Sequence, residues 1–505
     1  VAEEHQSALE VLKSRRVAIF IVAYNAEAHL ESLIERIPPQ MMPYFAEIFI
    51  IDDSSSDTTF EVANRIIKKY PNRNITAYKT PFNRGYGGNQ KIGYLYCMEK
   101  SYDIVVLLHG DGQYAPEYLP RVISQFKDNP DAVFASRMIN KKQALQGGMP
   151  FYKWIGNQVL TSFENKLLKA KLSEFHTGLR AYSVDALRKL PFTYNSDDFH
   201  FDTEIIIQAL ATRLKINEVA IPTFYGTEVC HVNGFKYAYN CMRSVIAYNL
   251  VNLGLYYKRN FDFGLFESEN YVFKRSPYSL HQYVLKSAGL HPGMVSIELG
   301  ANRGILSSYI AENVSQHIAV DQTAPDLAGK SEALAINLDE SFASMVPRRK
   351  YELCIALDVI EHLNEPEHFL LEVFDLLKAK GKLFISTANI CYLPMRLSML
   401  LGQFNYGKRG ILDRTHKRLF SVASFQKLLG QYGYKVEAVQ GFSPPLTDLI
   451  SPGIVMRLLE RMHSFLSRHL PNLFAYNFLV IATRMDGIED ILKQTTATMK
   501  AAGSQ

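Results

Sequence analysis

Residues 104–108 form an unbroken apolar run, and the chain then stops on His109-Gly110-Asp111-Gly112-Gln113. A short run of Ile, Val and Leu without polar alternation reads as a strand buried on both faces. It needs layers above and below it, and therefore an α/β sheet. An acid and an amide at the carboxyl end of such a strand stand where open α/β sheets bind ligands. Asp111 and Gln113 are a hard oxygen pair suited to Mg²⁺ or Mn²⁺ carrying a diphosphate. Taken alone, an Asp-Gly turn is the better account of the same residues.

The pattern recurs upstream. Residues 17–22 are apolar and end at Ala23-Tyr24-Asn25. Leu30, Leu33, Ile34 and Ile37 follow at helical spacing, and Pro38-Pro39 stops that helix. Residues 48–51 are the next strand, ending in Asp52-Asp53, with Asp57 or Thr58 placed to cap the next helix. Strand, helix, strand, helix predicts a parallel sheet with polar residues gathered at one edge. There Asp52 and Asp53 either serve turns and caps, or one of them accepts hydrogen bonds from a nucleotide base or ribose. Asn83-Arg84-Gly85-Tyr86-Gly87-Gly88-Asn89 opens another helix, and its glycines either let backbone approach a ligand or simply make a turn.

In this order, Ala23-Tyr24-Asn25, Asp52-Asp53, the Asn83–Gly88 loop and Asp111-Gly112-Gln113 resemble a family 2 glycosyltransferase with the GT-A fold. The subgroup resembled is the dolichol- or polyprenyl-phosphate sugar synthases. Ala135-Ser136-Arg137 resembles its Arg-bearing strand, and His176-Thr177-Gly178-Leu179-Arg180 its T-G-[FL]-R-A block. Phe201-Asp202-Thr203-Glu204 resembles its F-x-x-E helix, and residues 216–222 its V-x-I-P strand. The match runs from about residue 17 to about 231. It implies that Ala23, Tyr24, Asn25, Asp52, Asp53, Arg84, Gly85 and Asp111 hold a nucleotide-sugar. It also implies a metal at Asp111 and Gln113 and a phosphate gripped by Arg137 and Arg180. One departure stands out: where the subgroup shows D-x-D-x-Q, the first acid is His109, which could itself ligate the metal. Sugar transfer with inversion is expected. A lipid-phosphate acceptor arrives ionised and needs no base, whereas a sugar hydroxyl would need Asp202 or Glu204 to take its proton.

Length and composition bound the rest. The 505 residues exceed one domain, and 47% hydrophobic with 21% charged residues is a globular balance. A net charge of +5 suits anionic ligands or a membrane surface and falls short of a nucleic-acid footprint. Cys97, Cys230, Cys241, Cys354 and Cys391 lack CxxC spacing and read as buried thiols of a reducing compartment. No apolar run approaches the ~18 residues of a membrane span, so a cytoplasmic enzyme, peripheral at a membrane, is expected. Residues 149–172 carry Phe151, Trp154, Ile155, Val159, Leu160, Phe163, Leu167 and Leu168 at helical spacing among Lys153, Lys166, Lys169 and Lys171. That composition fits either a helix lying in a membrane interface or one packed on the sheet, and the resemblance favours the interface.

The second half restarts the pattern. Glu298-Leu299-Gly300-Ala301-Asn302-Arg303-Gly304 follows an apolar run, and later runs finish at Asp321, Asp339 and Asp358. The turn and Asp358-Val359-Ile360-Glu361-His362-Leu363 resemble a class I S-adenosylmethionine (SAM)-dependent methyltransferase over residues 278–484. The resemblance implies that Glu298, Gly300, Asn302 and Gly304 cradle the methionine part, with Asp321 on the ribose, Asp339 on the adenine side and Asp358 beside them. His416 is the first candidate base and His362 the second; structural roles are as good an account of either. A helix at residues 454–470, bearing Leu458, Leu459, Met462 and Phe465, is expected to pack on the second sheet.

The expected architecture is a GT-A domain at 1–235, a helical connector at 236–277, a Rossmann-like methyltransferase domain at 278–486 and a loose tail at 487–505. Such a chain would glycosylate a lipid-phosphate or glycan acceptor and methylate a sugar hydroxyl for a surface polysaccharide or glycolipid. The alternatives are a glycosyltransferase whose second domain only binds SAM or a partner, and a membrane-associated scaffold.

Overall fold

The computed structural model describes residues 2–223, 233–263, 276–325, 327, 331–347, 350–444 and 454–486. The expected tail at 487–505, Cys230 and the last part of the first resemblance lie outside these residues. The chain divides into two compact units: Val1–Asn249 with Lys258–Leu265, and Leu250–Tyr257 with Phe266–Gln505.

The first unit is built on a seven-stranded sheet. Its strands are β1 (Val17–Ala23), β2 (Glu47–Asp52), β3 (Ile75–Lys79), β4 (Ile104–His109), β5 (Ala132–Ser136), β6 (Arg180–Ser183) and β7 (Ile216–Ala220), in the order β3-β2-β1-β4-β6-β5-β7. Every residue of β1 is buried. Val17, Ile19 and Ile21 enter one apolar layer, and Ala18, Phe20 and Val22 the other. This two-sided burial is why the run shows no polar alternation. Only β6 runs antiparallel to its neighbours, pairing Arg180 with Leu107 of β4 and Phe134 of β5. In the parallel pairs Ala23 lies opposite Asp52, and Val22 opposite His109. The ends of β1, β2, β4 and β5 and the start of β6 therefore share one edge of the sheet.

The second unit repeats the scheme with β8 (Val295–Leu299), β9 (Gln316–Asp321), β10 (Ser331–Ala335), β11 (Tyr351–Leu357), β12 (Leu377–Ala388), β13 (Tyr434–Phe442) and β14 (Asn477–Arg484), in the order β10-β9-β8-β11-β12-β14-β13. β14 is antiparallel to both neighbours, and the remaining pairs are parallel. The run expected as a strand at 335–339 is a turn: β10 ends at Ala335, where the sequence becomes polar.

Two helices reverse the usual arrangement. In the helix Phe151–Leu168 the side facing the protein carries Asn157, Leu160, Thr161 and Glu164, whereas Phe151, Tyr152, Ile155 and Val159 are exposed. The helix Ile454–His469 packs on β13 of the second sheet, as expected, but turns Ser467 inward and leaves Leu458, Leu459, Met462 and Phe465 exposed. The inward contact is polar: the Ser467 hydroxyl donates to the carbonyl of Phe474 at 2.7 Å.

Candidate active sites

At the shared strand edge of the first unit lies a cleft of about 1160 Å³. Its wall includes Ala23, Tyr24, Asp53, Arg84, Gly85, His109, Asp111, Gln113, Arg137 and Asp202 among the residues singled out from sequence. Asn25, Asp52, Arg180 and Glu204 are not part of it. Asn25, at φ +49°, accepts a hydrogen bond from the Ser56 amide at 3.0 Å and so fastens the loop after β2. Asp52 is fully buried and accepts from the amide and hydroxyl of Ser55, which is turn chemistry rather than ligand contact. Asp53 does face the cleft. Its Oδ1 accepts from the Arg84 amide at 2.8 Å and the Thr80 hydroxyl at 3.1 Å, while burial raises its carboxyl above the usual range.

The glycines of the 83–89 loop have a different use from the one expected. The amide of Gly87 donates to the Asp197 carbonyl at 2.8 Å, and a Cβ on Gly87 would sit 2.4 Å from the Ser196 carbonyl oxygen. The backbone that approaches so closely is the protein's own.

At the centre, side chains from distant stretches form one chain of hydrogen bonds. The Tyr86 hydroxyl donates to Asp202 Oδ2 at 3.0 Å and lies 3.0 Å from His109 Nε2. Burial raises the Tyr86 phenol well above its ordinary range, so it keeps its proton. With that proton committed to Asp202, the phenol oxygen accepts from His109 Nε2–H. Burial lowers the His109 imidazole below its usual range against the pull of Asp111, so the ring is neutral and Nδ1 keeps a lone pair. Asp202 is engaged at both oxygens: besides Tyr86 on Oδ2, Gln90 donates to its Oδ1 at 3.0 Å, and Arg180 Nη1 stands 3.0 Å away. Arg180 is fully buried and also donates to the Phe175 carbonyl at 2.9 Å, so it neutralises Asp202 and does not reach a ligand. Glu204 is 1% exposed, accepts from the Ser196 amide at 2.7 Å and pairs with Lys258. Of the two carboxylates expected as a base, Asp202 lines the cleft with both oxygens already hydrogen-bonded, and Glu204 is not part of its wall.

Arg137 remains on the wall, over the Tyr114 ring, with its guanidinium on the buried Glu174. Burial works to raise Glu174, but Arg137 and then His176 carry it below its usual range. Asp111 Oδ1 accepts from the Gln113 amide at 3.1 Å, which shapes the turn after β4. His109, Asp111 and Gln113 offer a neutral imidazole nitrogen and oxygen donors on one wall, a set that fits a divalent cation.

Sequence reasoning missed Gln90 and Tyr237, and it quoted Tyr86, Gly178 and Lys153 within motifs without giving them a place in the site. Gly178 had a signal: a Cβ there would lie 2.4 Å from His109 Nε2, so the glycine of the 176–180 block makes room for the histidine. Tyr237 lies in a helix expected only to connect, yet it lines the cleft.

In the second unit, Gly300 at φ +78° turns the chain after β8, and Asn302 sustains φ +50° in the same turn. The Asn302 amide donates to Asp321 Oδ2 at 2.7 Å, which sets that acid against the turn. Gly304 begins the helix Ile305–Ala311. Glu298 is internal, with its carboxylate on the Ser307 hydroxyl and 3.8 Å from His317. Asp339 accepts from the Asn364 amide at 2.7 Å and lies 3.3 Å from Lys417. Asp358, exposed at φ +53°, accepts from the Ser386 hydroxyl at 2.6 Å. Beside it the rings of His362 and His416 meet edge to face, 4.7 Å between centroids. His416 Nδ1 lies 2.9 Å from the Ile411 carbonyl oxygen, so Nδ1 carries the proton and Nε2 is the accepting nitrogen. Burial, then His416, hold His362 below its usual range. Burial, then Asp358, push Glu361 up to about 8.

Residues 18–191 match the model of the glycosyl transferase family 2, and residues 273–439 that of a methyltransferase domain. The UDP-N-acetylglucosamine–dolichyl-phosphate N-acetylglucosaminyltransferase of Methanococcus voltae is 28% identical over 249 residues, 46% of this chain and 96% of that protein. The polyprenol monophosphomannose synthase of Mycolicibacterium smegmatis is 24% identical over 227 residues, 43% of this chain and 81% of that protein. A SAM-dependent methyltransferase structure from Archaeoglobus fulgidus is matched over 40% of this chain and 92% of that chain, at 17% identity and TM-score 0.29.

Proposed function

Starting from a chain that joins a family 2 glycosyl transferase domain to a methyltransferase domain, we propose that the first unit transfers a sugar from a nucleotide-sugar to a polyprenyl or dolichyl phosphate. The second unit, on this reading, methylates a sugar hydroxyl with SAM. The observation that carries the first half is the engagement of both Asp202 oxygens by Tyr86, Gln90 and Arg180, together with the burial of Glu204. An acceptor hydroxyl must lose a proton as it attacks, whereas a phosphate monoester is already an oxyanion. Two relatives carry a dolichyl phosphate or a polyprenol monophosphomannose in their names, in keeping with such an acceptor.

Tyr24, Asp53 and Arg84 form the part of the wall suited to the nucleoside, and Arg137 and Lys153 the part suited to an anionic acceptor. His109 through Nδ1, Asp111 and Gln113 would hold Mg²⁺ or Mn²⁺. That cation, when bound, stabilises charge on the departing diphosphate. The exposed Phe151, Tyr152, Ile155 and Val159 lie on the helix that also gives Lys153 and Asn157 to the cleft wall. We read them as the contact with the lipid surface. In the second unit His416 Nε2 takes the hydroxyl proton while Asp321, beside the Gly300 turn, holds the donor ribose. Membership in a surface polysaccharide or glycolipid route belongs to the same reading.

The test is a transfer assay with uridine and guanosine diphosphate sugars and Mn²⁺, offering polyprenyl phosphate or the matching polyprenol. Product from the phosphate alone is expected. Equal turnover of the alcohol would refute the assignment. Asp198 also lines the cleft, with Oδ1 engaged by the Phe199 amide at 2.7 Å. Asp198→Asn should leave phosphate transfer essentially intact, and its loss would make Asp198 the base for a hydroxyl acceptor. For the second unit, SAM titration followed by methyl-transfer assay on the glycosylated product distinguishes catalysis from mere binding.

A further inference from the structure

A second cluster in the first unit, apart from Asp111, brings together Glu164 of the helix Phe151–Leu168, His176 ahead of β6 and Cys241 of the helix Gly234–Asn252. One donor atom from each lies within 4.8 Å of the other two. Glu164 and Cys241 are fully buried, and the His176 side chain is 9% exposed. Glu164 Oε2 and His176 Nε2 approach to 3.2 Å, yet both atoms are buried without a hydrogen-bond partner. Buried polar atoms are rarely left so, and each such case calls for an explanation, of which a bound ion is one.

The surrounding bonds favour an ion. The Tyr237 hydroxyl lies 2.9 Å from His176 Nδ1. When Nδ1–H donates to that hydroxyl, Nε2 is left with a lone pair aimed at a carboxylate oxygen. Two electron-rich atoms 3.2 Å apart repel unless a cation lies between them. Two ligands each ~2.0–2.1 Å from a tetrahedral ion stand about 3.4 Å apart, close to the observed separation. The Thr203 hydroxyl lies 3.3 Å from Glu164 Oε1 and 3.2 Å from Cys241 Sγ, bracing both from behind.

We propose that Glu164, His176 and Cys241 form a zinc site on the floor of the first cleft. Imidazole, thiolate and carboxylate together select Zn²⁺ over the Mg²⁺ or Mn²⁺ suited to Asp111 and Gln113. Burial pushes the Cys241 thiol up to about 12, and coordination releases that proton to solvent as the Zn–S bond forms. Three protein ligands leave a fourth position for water, and His176 and Tyr237 of this cluster line the cleft. The ion would tie together three segments that are far apart in sequence.

The test uses the full chain, loaded with Zn²⁺, desalted and analysed for bound metal by mass spectrometry. About one equivalent is expected, retained in Asp111→Ala and lost in Cys241→Ser and in Glu164→Gln. Cobalt loading should give a thiolate-to-metal charge-transfer band that Cys241→Ser abolishes. Should the variants fail to fold, alkylation mapping on the unaltered chain decides: zinc should shield Cys241 and a chelator should expose it. Substoichiometric metal in the unaltered protein, retention in both folded variants, or alkylation of Cys241 indifferent to zinc would each overturn the proposal.

Discussion

Tyr86 sets what His109 can do. By accepting from Nε2–H and donating to Asp202, it fixes the tautomer that leaves Nδ1 open. Groups that orient a metal ligand typically contribute 10–100-fold in affinity. Tyr86→Phe should therefore weaken Mn²⁺ binding by about that factor, measured by titrating Mn²⁺ paramagnetic resonance in the presence of nucleotide-sugar. Asp202→Asn tests a different quantity. It leaves Arg180 buried without its counter-charge, and breaking such a pair costs about 3–5 kcal/mol. Urea unfolding should show a loss of that order, and an unchanged midpoint would mean that solvent reaches Arg180. Asp111 and Gln113 were legible in the sequence because they end an apolar strand. Tyr86 and Gln90 were not, because their partners stand 23 and 112 residues away along the chain. No local pattern encodes such a meeting.

At the level of elements, periodicity located the helix Phe151–Leu168 but not its orientation. A stripe at i, i+4, i+8 looks the same whether it faces a core or solvent. Here polar Asn157, Thr161 and Glu164 face inward because buried polar partners await them: Asn157 donates to Glu174 at 2.9 Å, and Thr161 donates to Asn157 at 3.3 Å. Replacing Phe151, Ile155 and Val159 by serine should change folding stability by no more than about 0.5 kcal/mol per site while abolishing co-sedimentation with anionic vesicles. A large drop in melting temperature would instead place these residues in a packed interior. The helix Ile454–His469 packs on the second sheet as expected, yet Leu458, Leu459, Met462 and Phe465 are exposed for the same reason.

At the level of the whole molecule, the two-sheet plan was readable because runs ending in acid or amide recur in both halves. The run 477–483 was readable as the last strand, but the antiparallel β6 and the edge strands β3 and β13 were not, since short or polar-flanked strands carry little periodic signal. One consequence concerns pH. Glu361 is raised to about 8 from an ordinary value of 4.5, so the folded second unit holds a proton that the unfolded chain gives up. The stability this contributes is complete below the unfolded value and is lost as pH climbs through about 8. Glu361→Gln should flatten the decline in melting temperature between those two points. An unchanged profile would assign the decline to another group.

The fully occupied Asp202 has a last consequence, for what the first cleft refuses. Water is the most abundant nucleophile that could reach an activated sugar, and like any neutral hydroxyl it must shed a proton to attack. Where the central carboxylate already satisfies a phenol, an amide and a guanidinium, Asp202 is a poor destination for that proton. The donor should therefore survive long waits for its lipid partner, and thrift with an expensive substrate would follow from hydrogen bonds that touch no ligand at all.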